Sequence, residues 1–405
     1  MNAPLSPSLL SDVPLAPRDP ILGITELFNA DKNPAKVNLG VGVYCDDSGK
    51  LPVLDCVRTA EQQLAQTATP RGYLPIDGLA VYDKAVQELV FGASSIARTE
   101  NRIVTVQALG GTGGLKVGAD FLKRIAPSAQ VWISDPSWEN HRALFESAGF
   151  TVNTYAYYNA ATHGLDFKGM LDALNTMPAG AIVVLHACCH NPTGADLDAK
   201  QWEQVITVVK ARKLTPFLDM AYQGFGAGID ADAAAVRQFA DAGGPVFVST
   251  SFSKSLSLYG ERIGALSVVA SSAEEAQRVL SQLKRDVRTN YSNPPTHGGK
   301  VAAAVLTTPE LRTLWEKELG GMRDRIRDMR RQFVEKLKAR APAHDFSFVM
   351  QQRGMFSYSG LTKEQVAKLR EHYSVYAVET GRICVAALNS RNIDYVVDSI
   401  ARVIG

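Results

Sequence analysis

Between Arg102 and Val269 the chain alternates short apolar runs with stretches of helical periodicity. Ile103-Val104-Thr105-Val106, Val131-Trp132-Ile133-Ser134, Ile182-Val183-Val184-Leu185 and Pro216-Phe217-Leu218 are brief and rich in β-branched or aromatic side chains, so they read as strands. Stretches such as Leu115 to Leu122 read as helices between them. That rhythm predicts a doubly wound α/β sheet. Helical patterns continue at 274–288, 297–306 and 309–340. The last contains Met322 to Arg331, whose mixed acids and bases read as a solvated helix face. What remains, with Phe346-Ser347-Phe348-Val349, Phe356-Ser357-Tyr358 and a strand around Arg382, reads as a small α+β domain. Residues 1–18, rich in Pro and Ser, read as a loose arm, and no internal repeat or low-complexity tract is present.

Composition narrows the classes. A chain of 405 residues can hold a large core and more than one domain. Its net charge of +2, from 43 basic and 41 acidic residues, creates no field for nucleic acid or an acidic membrane. Five cysteines (Cys45, Cys56, Cys188, Cys189 and Cys384) are odd in number and unpatterned, as expected in a reducing cytoplasm. Cys188-Cys189-His190 invites a metal reading, but no second ligand pair at zinc spacing follows. Buried thiols and no metal are the expectation. Neither a leader peptide nor an apolar stretch of bilayer length is read.

The chemistry gathers where strands end. Ser251-Phe252-Ser253-Lys254, with Arg262 eight positions on, sets an amine among hydroxyls and a guanidinium. Alone, such a lysine is more often merely solvated. Here Asp219-Met220-Ala221-Tyr222 follows one apolar run and His190-Asn191-Pro192-Thr193-Gly194 another. Open parallel sheets bind ligands at the carboxyl ends of their strands, so Asn191, Asp219 and Lys254 are expected to converge. The set suits a phosphorylated pyridine aldehyde. Lys254 would form a Schiff base, Asp219 would keep the ring nitrogen protonated, and Asn191 and Tyr222 would hydrogen-bond the phenolic oxygen. Leu109-Gly110-Gly111-Thr112-Gly113-Gly114 lies between a strand and a helix, as either a tight turn or a phosphate cradle. It is not the dinucleotide fingerprint, because Lys116 stands where a third glycine is needed.

Four further positions allow two readings each. Trp138, in Asp135-Pro136-Ser137-Trp138-Glu139-Asn140-His141, is either core packing or an aromatic surface in the site. Arg382 interrupts a buried strand and needs an anion, either a structural carboxylate or the α-carboxylate that every amino acid carries. Arg288 is either an exposed helix end or an anion receptor. Asn38 to Tyr44, with Gly40 and Gly42, is a turn that can also serve as a lid.

On these motifs the chain, from about Asp19 to its C-terminus, resembles the class I, fold-type I pyridoxal-phosphate aminotransferases, in particular the aspartate and aromatic-amino-acid (tyrosine) branch. The resemblance implies a large domain over 49–315, with a mostly parallel seven-stranded sheet between helices. It also implies a smaller α+β domain from 19–48 and 316–405, and an arm over 1–18 reaching across a partner. Gly111, Thr112, Ser251, Ser253 and Arg262 would hold the phosphate, with Tyr73 reaching it from the neighbouring subunit of a cytoplasmic homodimer. Trp138 would lie on the ring, His141 would touch Asp219, and the Gly42 backbone and Arg382 would take the substrate carboxylate. Arg288 would bind a distal carboxylate across the interface.

The implied reaction is a ping-pong transamination in which freed Lys254 moves a proton. Burial and neighbouring cations must then lower its pKa from about 10.4. Leu74-Pro75 and Gly260 look aromatic-type, whereas Val43, Thr112 and Asn293 match the aspartate-selective pattern. Cys45, Leu51 and Gly72 make the rim smaller or more apolar. Dual use of aromatic amino acids and of aspartate and glutamate follows, with a strict aspartate enzyme as the alternative. A β-lyase or decarboxylase, and a cofactor-holding regulator, are the more distant rivals.

Overall fold

The computed structural model describes residues 8–16, 21–67, 70 and 72–405. Residues 1–7, 17 and 18 of the expected arm, and Asp19, lie outside them.

Seven strands form one sheet: β1 (Ile103–Leu109), β2 (Val131–Asp135), β3 (Val152–Ala156), β4 (Ile182–His186), β5 (Thr215–Met220), β6 (Val246–Ser251) and β7 (Ile263–Val269). Their spatial order is β1-β7-β6-β5-β4-β2-β3. β7 runs antiparallel to both neighbours, and the other pairings are parallel. The expected mostly parallel α/β sheet is therefore present. Successive residues of a strand point to opposite faces. In β4, Ile182 and Val184 join one hydrophobic cluster while Val183 and Leu185 join another. In β5, Phe217 and Leu218 divide in the same way. A strand apolar on both faces needs a cover on each, which the helices supply.

Helix α1 (Gly110–Ile125) begins at the first glycine, not after the glycine run. A Cβ on Gly114 would meet Ser249 Oγ at 2.7 Å and the Ala265 carbonyl at 2.8 Å, and one on Gly118 would meet the Phe217 ring at 2.5 Å. Glycine's weak helix propensity is thus overridden by close packing on β5, β6 and β7. Helix α2 (Glu139–Ser147) follows β2. The three later helical patterns form α3 (Ala273–Asn290), α4 (Thr296–Thr307) and α5 (Pro309–Arg340). The charged run in α5 is solvated on one side only. Met322, Ile326, Met329 and Arg330 are buried, and Arg330 donates to the Gly354 carbonyl at 2.6 Å.

Beyond α5, Phe356–Tyr358 pairs antiparallel with Arg382–Cys384, while Ser347–Gln351 forms a 3-10 turn. Val37–Asn38 pairs parallel with Val375–Tyr376, and Cys384 N donates to the Leu39 carbonyl at 2.8 Å. These bonds carry the Asn38–Tyr44 segment to the C-terminal part of the chain. Among the described residues no helix is long and apolar enough to cross a membrane.

Candidate active site

Adjacent strand ends set the polar groups side by side. In β5, Asp219 sits in register with His186 of β4 and Ser249 of β6. It accepts at Oδ2 from His141 Nε2 at 3.0 Å, and Ser137 Oγ lies 2.9 Å from His141 Nδ1. Burial raises the Asp219 pKa, but the His141 bond outweighs it, helped by the neighbouring Lys254 charge, so the carboxyl stays below its usual range. It is an anion at neutral pH. Burial, and then His141, push His186 down to about 3, leaving it neutral. His190 stacks on Tyr157 at 3.9 Å and is held by Ser134 Oγ at 2.9 Å and Thr193 Oγ1 at 2.8 Å. That fixes the loop bearing Asn191.

Lys254 follows the end of β6. Its Nζ lies 5.0 Å from the centre of the Tyr222 ring, and Tyr222 is buried. Burial lowers the Lys254 pKa to about 8, aided by Arg262 and Arg382 and opposed by Asp219. Arg262 has φ +52°, which swings its guanidinium back over the start of α1. There it reaches Ser253 Oγ at 3.4 Å and the carbonyls of Tyr259 and Leu109 at 3.1 and 3.5 Å. None of these oxygens is a carboxylate, and Arg262 has no ion pair among the described residues. Gly110 has φ +68°, and a Cβ there would strike Arg262 Nη2 at 2.6 Å, so this approach requires glycine. A Cβ on Gly111 would meet the Ser251 Cβ at 3.2 Å. The first-turn N–H groups of Gly111 and Thr112, the Ser251 and Ser253 hydroxyls and Arg262 therefore gather where an anion is favoured.

Arg382 is 1 % exposed. Its Nη1 donates to Asn191 Oδ1 at 2.9 Å, its Nη2 to the Gly40 carbonyl at 2.7 Å, and its guanidinium stacks on Phe356 at 4.4 Å. Its Nε is buried without a partner. A buried cation with an unspent donor is chemically suited to take a carboxylate. Gly42 packs on the same Phe356, where a Cβ would come within 2.5 Å of the ring. Tyr44 N donates to Tyr259 Oη at 3.0 Å, joining this segment to the Arg262 loop.

Trp138 caps α2, with its indole 5.3 Å from the His141 ring at 83°. Lys254, Asp219, Tyr222, Asn191 and Arg382 are thus brought together, flanked by the α1 start and Trp138. Tyr73 and Arg288 are not. Tyr73 is 96 % exposed, and Arg288, also exposed, donates to Ser292 Oγ. Their loops meet where Asn293 Nδ2 donates to the Leu74 carbonyl at 3.2 Å, so the two share a face. Nothing in the residue pattern pointed to the Gly40 carbonyl, since a backbone contact carries no residue signal. Glu139 lies inside a noted motif and His186 directly follows one, but nothing in the pattern singles them out.

A sequence profile described as "Aminotransferase class I and II" matches residues 34–400. An aspartate aminotransferase of Pseudomonas aeruginosa is 61 % identical over 397 residues, covering 98 % of this chain and 100 % of the relative. An aromatic-amino-acid aminotransferase of Escherichia coli is 51 % identical, covering 95 % of this chain and 97 % of the relative. The crystal structure of an aromatic-amino-acid aminotransferase from Burkholderia pseudomallei, covalently bound to pyridoxal phosphate, superposes with a TM-score of 0.96. It is 64 % identical and covers 98 % of this chain and 100 % of its own.

Proposed function

The chain belongs to the class I and II aminotransferases, and we propose that it is a pyridoxal-phosphate-dependent transaminase for aromatic amino acids, aspartate and glutamate, with 2-oxoglutarate or oxaloacetate as acceptor. One observation carries the reading: the Lys254 amine, the ionised Asp219 and the unsatisfied Nε of buried Arg382 lie in one cluster at the strand ends.

The residues fit the cofactor. Arg262, uncompensated by any carboxylate, would hold its phosphate with Ser251, Ser253, Gly111 and Thr112, while Asn191 and Tyr222 would take the phenolic oxygen. When bound, the cofactor supplies an aldehyde that bonds an amine covalently and a protonated ring that accepts electrons. Lys254 is the residue that carries that bond. With its pKa near 8, Nζ is neutral often enough at pH 7 to take the proton from the substrate Cα. Asp219 keeps a proton on the ring nitrogen because its own affinity for one is low. Trp138 and Tyr222 bound the site and exclude water. Arg382 orients the α-carboxylate, with the Gly42 backbone closing over it.

Arg288 and Tyr73 act from the partner subunit of a homodimer in this reading, which their exposure on a shared face supports. The protein is placed in the cytoplasm on the same reading. The small domain is taken as 19–48 with 316–405, supported by the pairing of Val37–Asn38 with Val375–Tyr376, and the large domain as 49–315. Dual specificity rests on the mixed rim and on relatives of both kinds.

Borohydride reduction of the loaded protein should fix the cofactor at Lys254. Fixation at another amine would overturn the assignment. An amino-acid panel against 2-oxoglutarate should show comparable kcat/KM for tyrosine and aspartate. A tyrosine-to-aspartate ratio below about one in a thousand, roughly 4 kcal/mol, selects the strict aspartate enzyme instead. Keto acid formed over many turnovers without an acceptor, rather than once per site, would indicate a lyase.

A further inference from the structure

We propose that Glu139 is a resident counter-ion of Arg382, which competes with the substrate carboxylate and so sets how tightly substrates and products are held. The proposal rests on the reading that Arg382 receives that carboxylate. Asn191 Oδ1 and the Gly40 carbonyl satisfy two donors of Arg382, but both are neutral, as is the Phe356 ring. The charge itself is left to one group. Among the described residues the single carboxylate within ion-pair reach is Glu139, whose Oε2 lies 3.9 Å from Nη1.

That distance is too long for a hydrogen bond. Glu139 Oε2 is itself buried without a hydrogen-bond partner, like the Nε of Arg382. Attraction between the two is therefore coulombic and undirected, and no donor pins the oxygen in place. The rest of the side chain reaches outward, with 30 % of its surface exposed. As the first residue of α2, directly after Trp138, Glu139 has a fixed backbone, and the helix start favours its negative charge. The pair is thus poised to loosen without unfolding anything.

A carboxylate that takes the free Nε of Arg382 meets Glu139 as a like charge. In a partly buried site, where the effective dielectric constant is about 20, two anions fixed on one guanidinium would weaken each other's binding by well over tenfold, and the outward freedom of Glu139 brings the effect down to the order of tenfold. Glu139 acts through Arg382 and is a positioning residue. Its presence keeps a buried arginine charge-neutral when the site is empty and keeps the bound carboxylate from being held too long.

The test is calorimetric titration of the pyridoxal-phosphate-loaded enzyme with 3-phenylpropionate and with its uncharged amide. Glu139→Gln keeps the shape and removes the charge. It should tighten the acid about tenfold, leave the amide unchanged, and lower the KM for tyrosine by a larger factor than it alters kcat. Glu139→Asp, one methylene shorter, should fall between Gln and the native enzyme. Unchanged or weaker binding of the acid to the Gln variant overturns the proposal, and so does an equal change for the amide. Arg382→Ala separates the two levels. If it weakens the acid while Glu139→Gln does not strengthen it, only the role of Glu139 falls. If it leaves the acid's affinity intact, the carboxylate reading of Arg382 falls and takes this inference with it.

Discussion

At the scale of single residues, the decisive property is the proton affinity of Lys254. Below its folded pKa of about 8 the amine is charged, and above it the amine is a free base, so nucleophilicity rises with pH through that value. Competitive acetylation of the cofactor-free protein should show half-maximal labelling of Lys254 near pH 8, more than two units below a solvated lysine. Burial is the first cause and Arg262 the first cation that assists it. Arg262→Ala should therefore move the labelling midpoint upward, and an unmoved or lower midpoint contradicts the electrostatic account. Much of this cluster was legible in the chain. Asn191, Asp219 and Lys254 each stand just past an apolar run, and a parallel sheet aligns such positions. The orphaned Nε of Arg382 and the approach of Glu139 to its guanidinium were not legible, because the start of α2 and the strand Arg382–Cys384 lie far apart in the chain and meet only in the fold.

At the scale of elements, α1 shows where sequence and structure part. Four glycines beyond Leu109 read as loop by propensity, yet the helix starts at Gly110 because only a bare backbone lets it lie against β6 and β7. The same packing continues at Gly118, where a methyl group would come within 2.5 Å of the Phe217 ring. Gly118→Ala gains helix propensity but forces an overpacked contact, a net loss of about 1–3 kcal/mol. Denaturant unfolding should show the midpoint falling at unchanged slope. A rise in stability would mean that α1 can shift outward freely. The long helix α5 was legible in extent but not in burial. Arg330 reads as one more surface charge, and only the fold brings the Gly354 and Phe356 carbonyls to it at 2.6 and 3.2 Å.

At the scale of the whole molecule, the proposal that the site is shared between subunits predicts complementation. A Lys254→Ala chain lacks the amine but can lend Arg288 to a partner, while an Arg288→Ala chain keeps the amine and lacks the loan. Refolded together in equal amounts, half of the dimers would be mixed, each with one intact site. Aspartate turnover should then reach about a quarter of native activity, well above either variant alone. No gain on mixing would place Arg288 outside the neighbour's site. The molecule also carries a constraint in time. Asn33 Nδ2 donates to Ser374 Oγ across 341 residues, and Val37–Asn38 pairs with Val375–Tyr376. At roughly 5–20 residues per second, the early segment must wait on the order of 20–70 s after synthesis for the strand that completes it. Until then the nascent chain holds a Val37–Asn38 strand with nothing to pair against, so a chain terminated before Val375 is expected to leave that edge unpartnered.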